Sequence, residues 1–247
     1  MSCQRHVCSV NSVKQINRRT ATKVSRLRPS NARISIAPMN VLLQACVVLV
    51  AAALQAQPAS EAGWTQLFNG KDFTGWRVSN PASFRIEDGA IVANGTPGHA
   101  YYDGEFRNHM FRNFELKVDV MTRANSNGGI YVLTEFLEKG WPAKGFEVQV
   151  NNTGRDTIRT GSLYQVANIT EAPAKDDEWF TEHIIVKGDT ITVRVNDKQV
   201  VEWTQPADWQ GVRGTPGRRL APGTIALQAH DPGSTVYYKN IRIKPLD

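Results

Sequence analysis

The sequence predicts an all-β sandwich behind a basic leader. Three observations lead there. Apolar residues recur with period two in short runs; no run sustains a period of 3.6; and Gly, Asn, Asp and Pro punctuate the chain between runs. A strand alternates its side chains between two faces, so such runs bury one face and present the other.

Taken in order, Trp64–Phe68 reads as a first strand, ended by the Asn69-Gly70-Lys71-Asp72 turn. Gly75–Val78 and Ser83–Ile86 are short strands, and Glu87-Asp88-Gly89 turns the chain into Ala90–Asn94. His99–Tyr102 follows. Phe114–Thr122 sets Phe114, Leu116, Val118 and Val120 against Glu115, Lys117, Asp119 and Met121, one face buried and one wet. Ala124–Gly129 is a loop that releases the strand Ile130–Thr134. Gly145–Asn152 and Gly161–Val166 come next, then the acidic loop Pro173–Glu178. Phe180–Val186 and Thr190–Val195 form a hairpin through Lys187-Gly188-Asp189, and Asn196-Asp197 turns into Lys198–Trp203. Pro206–Pro222 is a long loop carrying Arg213, Arg218 and Arg219; loops of this length in compact domains are often functional. Thr224–His230 and Thr235–Ile243 close the sheets.

The net charge of +6 is unevenly spread. Residues 1–56 hold eight of the 29 Lys and Arg and no acid, leaving 21 basic against 23 acidic residues beyond them. The basicity belongs to the leader and gives no reason to expect nucleic acid binding by the folded part. Val41–Leu54 is apolar apart from Gln44, too short for the roughly 20 residues of a bilayer-spanning helix, and Ala56 offers a cleavage point. This reads as a secretory signal, with Met39 as an alternative start, 57–63 as a linker and 64–247 as one domain, secreted or periplasmic. Cys3, Cys8 and Cys46 all lie in the leader, so the domain has no thiol for disulfides or metal.

The stretch Gly145–Asn152 is the centre of the functional reading. Phe146, Val148 and Val150 point one way; Glu147, Gln149 and Asn151 point the other. That polar row is either a solvated strand face or a sugar site, since a carboxylate beside a carboxamide can move protons and grip hydroxyls. Gln228 and His230 share a face of their strand, and Tyr131 is placed to join Glu147. Among the tryptophans, Trp141 and Trp209 lie in loops where a sugar ring can stack on them. His99, His109, His183 and His230 show no zinc spacing, and neither a serine elbow nor a phosphate loop is present.

Seven segments in order resemble the 3-keto-disaccharide hydrolase family (domain of unknown function 1080) across residues 64–246. They are Leu67–Trp76, Asn127–Tyr131, Gly145–Val150, Thr160–Tyr164, Glu178-Trp179, Ile225–His230 and Lys239–Leu246. Two positions depart from its pattern, Gly128 for Ser and Phe180 for Asn, and both bear on substrate contacts more than on fold. The resemblance implies a concanavalin-A-like jelly-roll whose concave sheet holds sugar. It implies cleavage of glycosides oxidised to a ketone at C3, by proton removal at C2, loss of the glycosidic oxygen and, for a hydrolase, addition of water. Glu147 or His230 would be the base, Tyr131 or Tyr164 a proton donor, and Gln149, Gln228, Asn127, Tyr164 and Trp141 the substrate contacts. No cofactor is evident; a divalent cation at the enolate is compatible with the chemistry, though no ligand set is visible. Two other readings suit the same pattern: a non-catalytic carbohydrate-binding module, and a two-carboxylate glycosidase with Glu135 opposite Glu147.

Overall fold

The computed structural model describes residues 62–212 and 215–246; the leader, signal and start-site expectations lie outside the described residues. Thirteen strands run in order: β1 Thr65–Gln66, β2 Trp76–Val78, β3 Phe84–Glu87, β4 Ala90–Ala93, β5 Gly98–Tyr102, β6 Phe114–Thr122, β7 Gly128–Thr134, β8 Phe146–Val150, β9 Phe180–Lys187, β10 Thr190–Val195, β11 Lys198–Thr204, β12 Thr224–Ala229 and β13 Val236–Pro245. Two 3-10 turns, Pro81–Ser83 and Phe106–His109, interrupt them. No helix among the described residues is long and apolar enough to cross a membrane.

The strands form two antiparallel sheets. The larger has the order β11-β10-β9-β6-β13-β4-β3, with β1 on β13; the smaller has β2-β5-β12-β7-β8. Their facing sides make one core, because the period-two runs deliver apolar residues to the same side. Phe114, Leu116, Val118 and Val120 of β6 meet Ile130, Val132, Phe146, Val148, Ile225 and Leu227 of the smaller sheet. Each such side chain, fully buried, stabilises the fold by roughly 1.5–3 kcal/mol. Glu182 breaks the pattern: it shares the buried face of β9 with Phe180 and Ile184 and has no exposed surface.

Strands β5, β7, β8 and β12 are buried along their whole length. An antiparallel sheet with one wet face would alternate, so the outer face of the smaller sheet is covered too. The segments joining β7 to β8 and β11 to β12 do the covering, and their residues line the hollows on that face.

One expected element differs. Gly161–Val166 is not a strand, although it lies along β8: Val148 and Leu163 form a bridge, Gly161 N donates to the Gln149 carbonyl and Gln149 N to the Ser162 carbonyl. Tyr164 N donates to the Glu147 carbonyl at 2.9 Å, but Gln165 turns away with φ of 62° and the Ser162 hydroxyl accepts from Ile169 N. Local side-chain bonds of this kind compete with a ladder.

Candidate active site

Register decides which side chains meet. Tyr131 of β7 is the direct partner of Glu147 of β8, and Ala226 of β12 is the partner of Tyr131. One pair further along, Gln228 is opposite His99 of β5, and Gly129 is opposite Gln149. Gly129 leaves room: a Cβ there would stand 2.7 Å from Glu147 Oε1. The result is a hollow of about 310 Å³ lined by all eight residues singled out above, Asn127, Tyr131, Trp141, Glu147, Gln149, Tyr164, Gln228 and His230, together with Gln165 and Arg218.

The reading of the Glu147 row as a solvated strand face is overturned. Glu147 is 6 % exposed, Gln149 1 % and Asn151 0 %. Asn151 turns out to be structural: its Nδ2 donates to the carbonyls of Asp156 and Ile158. The Glu147 carboxylate accepts from the Tyr131 hydroxyl at 2.8 Å on Oε2 and from Gln228 Nε2 at 2.8 Å on Oε1. Arg218 Nη2 stands 3.9 Å away. Burial pushes the carboxyl above its usual range, and the bond from Tyr131, the Arg218 charge and the Gln228 amide offset only part of that. Burial, with the adjacent carboxylate, also raises the Tyr131 phenol well above its ordinary value.

Gln149 Nε2 donates to Asn127 Oδ1 at 3.0 Å. The Gln149 and Gln228 carbonyl oxygens are buried with no protein donor. Buried acceptors rarely stay unpaired, so two amide oxygens in one hollow are suited to the hydroxyls of a polyol. With Glu147 ionised, turning Gln228 over would set its oxygen against the carboxylate, so the amide nitrogen faces Glu147 in that state.

His230 sits at the end of β12, half-buried. Its Nδ1 is 2.8 Å from Asp231 Oδ2, which leaves Nε2 as the unassigned nitrogen. Burial raises the Asp231 carboxyl, but bonds from His230, Ser234 and the Gly233 amide outweigh that and hold it below the usual range. An aspartate so fixed orients the imidazole and its tautomer. The Trp141 ring, 47 % exposed, lies 5.4 Å from His230 at 35° and edge-on to the buried His99. His99 backs Tyr131 edge-on at 5.2 Å; burial lowers its pKa to about 4, so it is neutral at physiological pH.

Arg218 was visible in sequence only as part of a basic cluster. The 206–222 segment, in which no helix occurs among the described residues, carries it under the sheet, 7 % exposed. Trp209 Nε1 grips the Arg218 carbonyl at 2.7 Å, and Arg218 Nη1 donates to the Tyr164 carbonyl at 2.9 Å. Trp209 is therefore a support packed edge-on against Trp203, not the sugar platform expected of it. Tyr164 lines the hollow, but its hydroxyl donates to Asp156 at 3.1 Å.

Glu135 does not face Glu147. It is exposed, pairs with Lys144 and lines a different hollow, so the two-carboxylate arrangement lacks its second acid. The departures Gly128 and Phe180 also leave the site untouched: a Cβ on Gly128 would meet Tyr238 and Val236 of the other sheet, and Phe180 lies in the core. Among the described residues, no group of three or more His, Cys, Asp or Glu side chains is placed to hold a metal ion.

Known proteins share this architecture. A family model described as the 3-keto-alpha-glucoside-1,2-lyase-like domain matches residues 63–244. A curated 3-keto-disaccharide hydrolase of Bacteroides thetaiotaomicron is 29 % identical over 77 % of this chain and 81 % of its own. A solved structure from Parabacteroides distasonis that carries a provisional glycosyl hydrolase name superposes with a TM-score of 0.63. It is 25 % identical, over 75 % of this chain and 94 % of its own. The β-glucanase of Bacillus licheniformis shares the fold alone, with a TM-score of 0.50 at 10 % identity over 76 % of this chain and all of its own.

Proposed function

Since the chain belongs to the 3-keto-alpha-glucoside-1,2-lyase-like family, we propose that it cleaves glycosides whose sugar bears a ketone at C3. One observation carries this reading: an imidazole held by Asp231 and a buried carboxylate–phenol pair beside Arg218 open into a single hollow. The names of the Bacteroides and Parabacteroides relatives, a 3-keto-disaccharide hydrolase and a provisional glycosyl hydrolase, support it.

The chemistry follows from charge. A C3 ketone acidifies the hydrogen on C2. His230 Nε2 takes that proton, being the one nitrogen of the ring not committed to Asp231. Glu147 is the poorer base, because Tyr131 and Gln228 already engage both of its oxygens and it enters this step protonated. The electron pair from C2 moves onto the ketone oxygen, and the buried Arg218 guanidinium stabilises the enolate. As the carbonyl re-forms, a double bond grows between C1 and C2 and the C1–O bond breaks. The Tyr131 hydroxyl turns from Glu147 to the leaving oxygen and gives it a proton as Tyr131 takes the one that Glu147 carries, a role its raised carboxyl suits. Release at this point is lyase action. Addition of water completes a hydrolysis: hydroxyl goes to C1, the imidazolium proton returns to C2, and the remaining water proton restores Glu147.

Turnover of a 3-keto-glucoside by the parent and by His230→Asn tests the assignment. Loss of most activity in a folded variant is expected. Binding of the keto sugar without turnover by the parent would favour a carbohydrate-binding module instead.

A further inference from the structure

A second hollow, of about 400 Å³, opens on the same face of the smaller sheet. Its walls differ in chemistry from those around Glu147. Tyr101, Tyr102, Met110, Leu133 and Phe136 give it an aromatic and aliphatic wall, where the first hollow is lined mainly by amides, Glu147 and Arg218. Charged side chains of both signs line it as well: Asp103 lies 3.7 Å from His109, Glu135 pairs with Lys144, Arg219 is exposed, and the Arg77 guanidinium lies 3.4 Å over the Phe136 ring.

Three relationships tie it to the first hollow. Ala226 pairs with Tyr101 on one side and with Tyr131 on the other, so Tyr101 and Glu147 stand in one row across the sheet. Tyr101, Tyr131, Ala226 and Phe136 pack as one apolar cluster, which forms the partition between the hollows. The same two loops serve both: Trp141 and Arg218 face the carboxylate, while Phe136, Lys144 and Arg219 face the second space.

The floor of the second hollow is built for an opening. Leu133 has φ of 57°, and the β7–β12 register shifts by one residue there, a bulge that re-aims the strand end. Gly145 and Gly223 pack against it; a Cβ on either would come within 2.4 Å of this backbone. Beyond the bulge Thr134 lines the hollow, 2 % exposed, and its hydroxyl has no hydrogen-bond partner.

We propose that this second hollow receives the leaving-group half of the substrate and that the half it takes is aryl, a phenol rather than a second sugar. The inference rests on the glycoside-cleaving reading above. Apolar aromatic walls would leave most hydroxyls of a sugar unpaired, whereas they suit a planar ring. The unpartnered Thr134 hydroxyl meets one polar substituent. In the cleavage step the C1–O electron pair departs on the aryl oxygen. A phenol's pKa of about 10 makes that oxygen a far weaker base than a sugar alkoxide, and Arg77 and Arg219 line the same space.

The test compares phenyl and methyl 3-keto-glucosides as substrates of the full chain and of Ala221→Trp. Ala221 is exposed and lines only the second hollow, so the new ring fills it without touching the first. The expected result is a fall of about tenfold or more in kcat/KM for the phenyl substrate, with the methyl substrate unchanged within about twofold. Phe136→Ala, which removes a wall instead, should shift the ratio the same way. Equal changes for both substrates, or none, overturn the assignment. Calorimetric titration with 2-naphthol needs no turnover: saturable binding to the parent, lost in Ala221→Trp, is expected, and absent or unaltered binding overturns the subsite. Should the parent cleave neither keto-glucoside, the cleavage reading fails, and the naphthol titration still decides whether the hollow takes an aryl group.

Discussion

The Tyr131 hydroxyl donates to Glu147 Oε2 at 2.8 Å, and the two residues are direct partners across β7 and β8. A phenol and a carboxyl are thereby held in contact by sheet register alone, out of water and under one guanidinium.

That pair makes the first prediction. Glu147→Gln keeps the shape and the amide contacts but removes the exchangeable proton. Turnover of an alkyl 3-keto-glucoside should fall by about 10²–10⁴, and less with a nitrophenyl leaving group, which departs without a proton. Initial rates on the two substrates check it. Tyr131→Phe removes a bond that favours the ionised carboxylate, so the Glu147 pKa should move further up, as carboxyl carbon NMR would read.

Arg218→Met deletes the guanidinium of the hollow. If the guanidinium stabilises the enolate, kcat should drop by roughly 10²–10³ while KM moves little. Steady-state kinetics distinguish this from loss of ground-state binding, which would raise KM alone.

Glu182 governs a stability prediction. Burial in the core holds its carboxyl well above the ordinary 4.5, and the Gly161 amide opposes this only weakly. The folded chain keeps that proton when the unfolded chain has lost it. The stabilisation is therefore complete below 4.5 and is lost as pH rises from there toward the folded value. Glu147, raised in the same sense, adds to the trend. Melting temperature should decline across this range, and Glu182→Gln should flatten the decline. An unchanged slope in that variant would show that Glu182 is ionised in the fold.

Gly129→Ala would place a Cβ 2.7 Å from Glu147 Oε1 and 3.0 Å from its Cγ. The carboxylate must then leave its bonds to Tyr131 and Gln228. Activity should fall by about tenfold or more, since displacements near 1 Å are that costly in catalysis. Far-ultraviolet dichroism should be unchanged.

Period two made much of this legible. The alternation in Phe146–Val150 and Ile225–Ala229 put Glu147, Gln149 and Gln228 on the face away from the core, and the structure joins those faces with Tyr131, Trp141 and His230. What the alternation could not carry was whether that face met water. Burial there depends on loops from distant parts of the chain, whose placement has no local period. Arg218 was hidden for the same reason: its position is set by Trp209 and Tyr164, contacts that only the folded chain provides. Asp231 was nearer to hand, directly after His230, as a neighbour able to hold an imidazole. Gly161–Val166 was misjudged because Ser162 and Gln165 bind and turn the backbone locally. The Gly128 and Phe180 departures bear on packing and not on substrate, because strand parity turns both toward the core.

The most direct measurement is cleavage by the purified chain of one 3-keto-glucoside and, in parallel, of its unoxidised parent, each also incubated with His230→Asn. Release of the aglycone from the ketone only, abolished in the variant, is the predicted result. Equal cleavage of both sugars, or full activity without His230, would contradict proton removal at C2 by that imidazole.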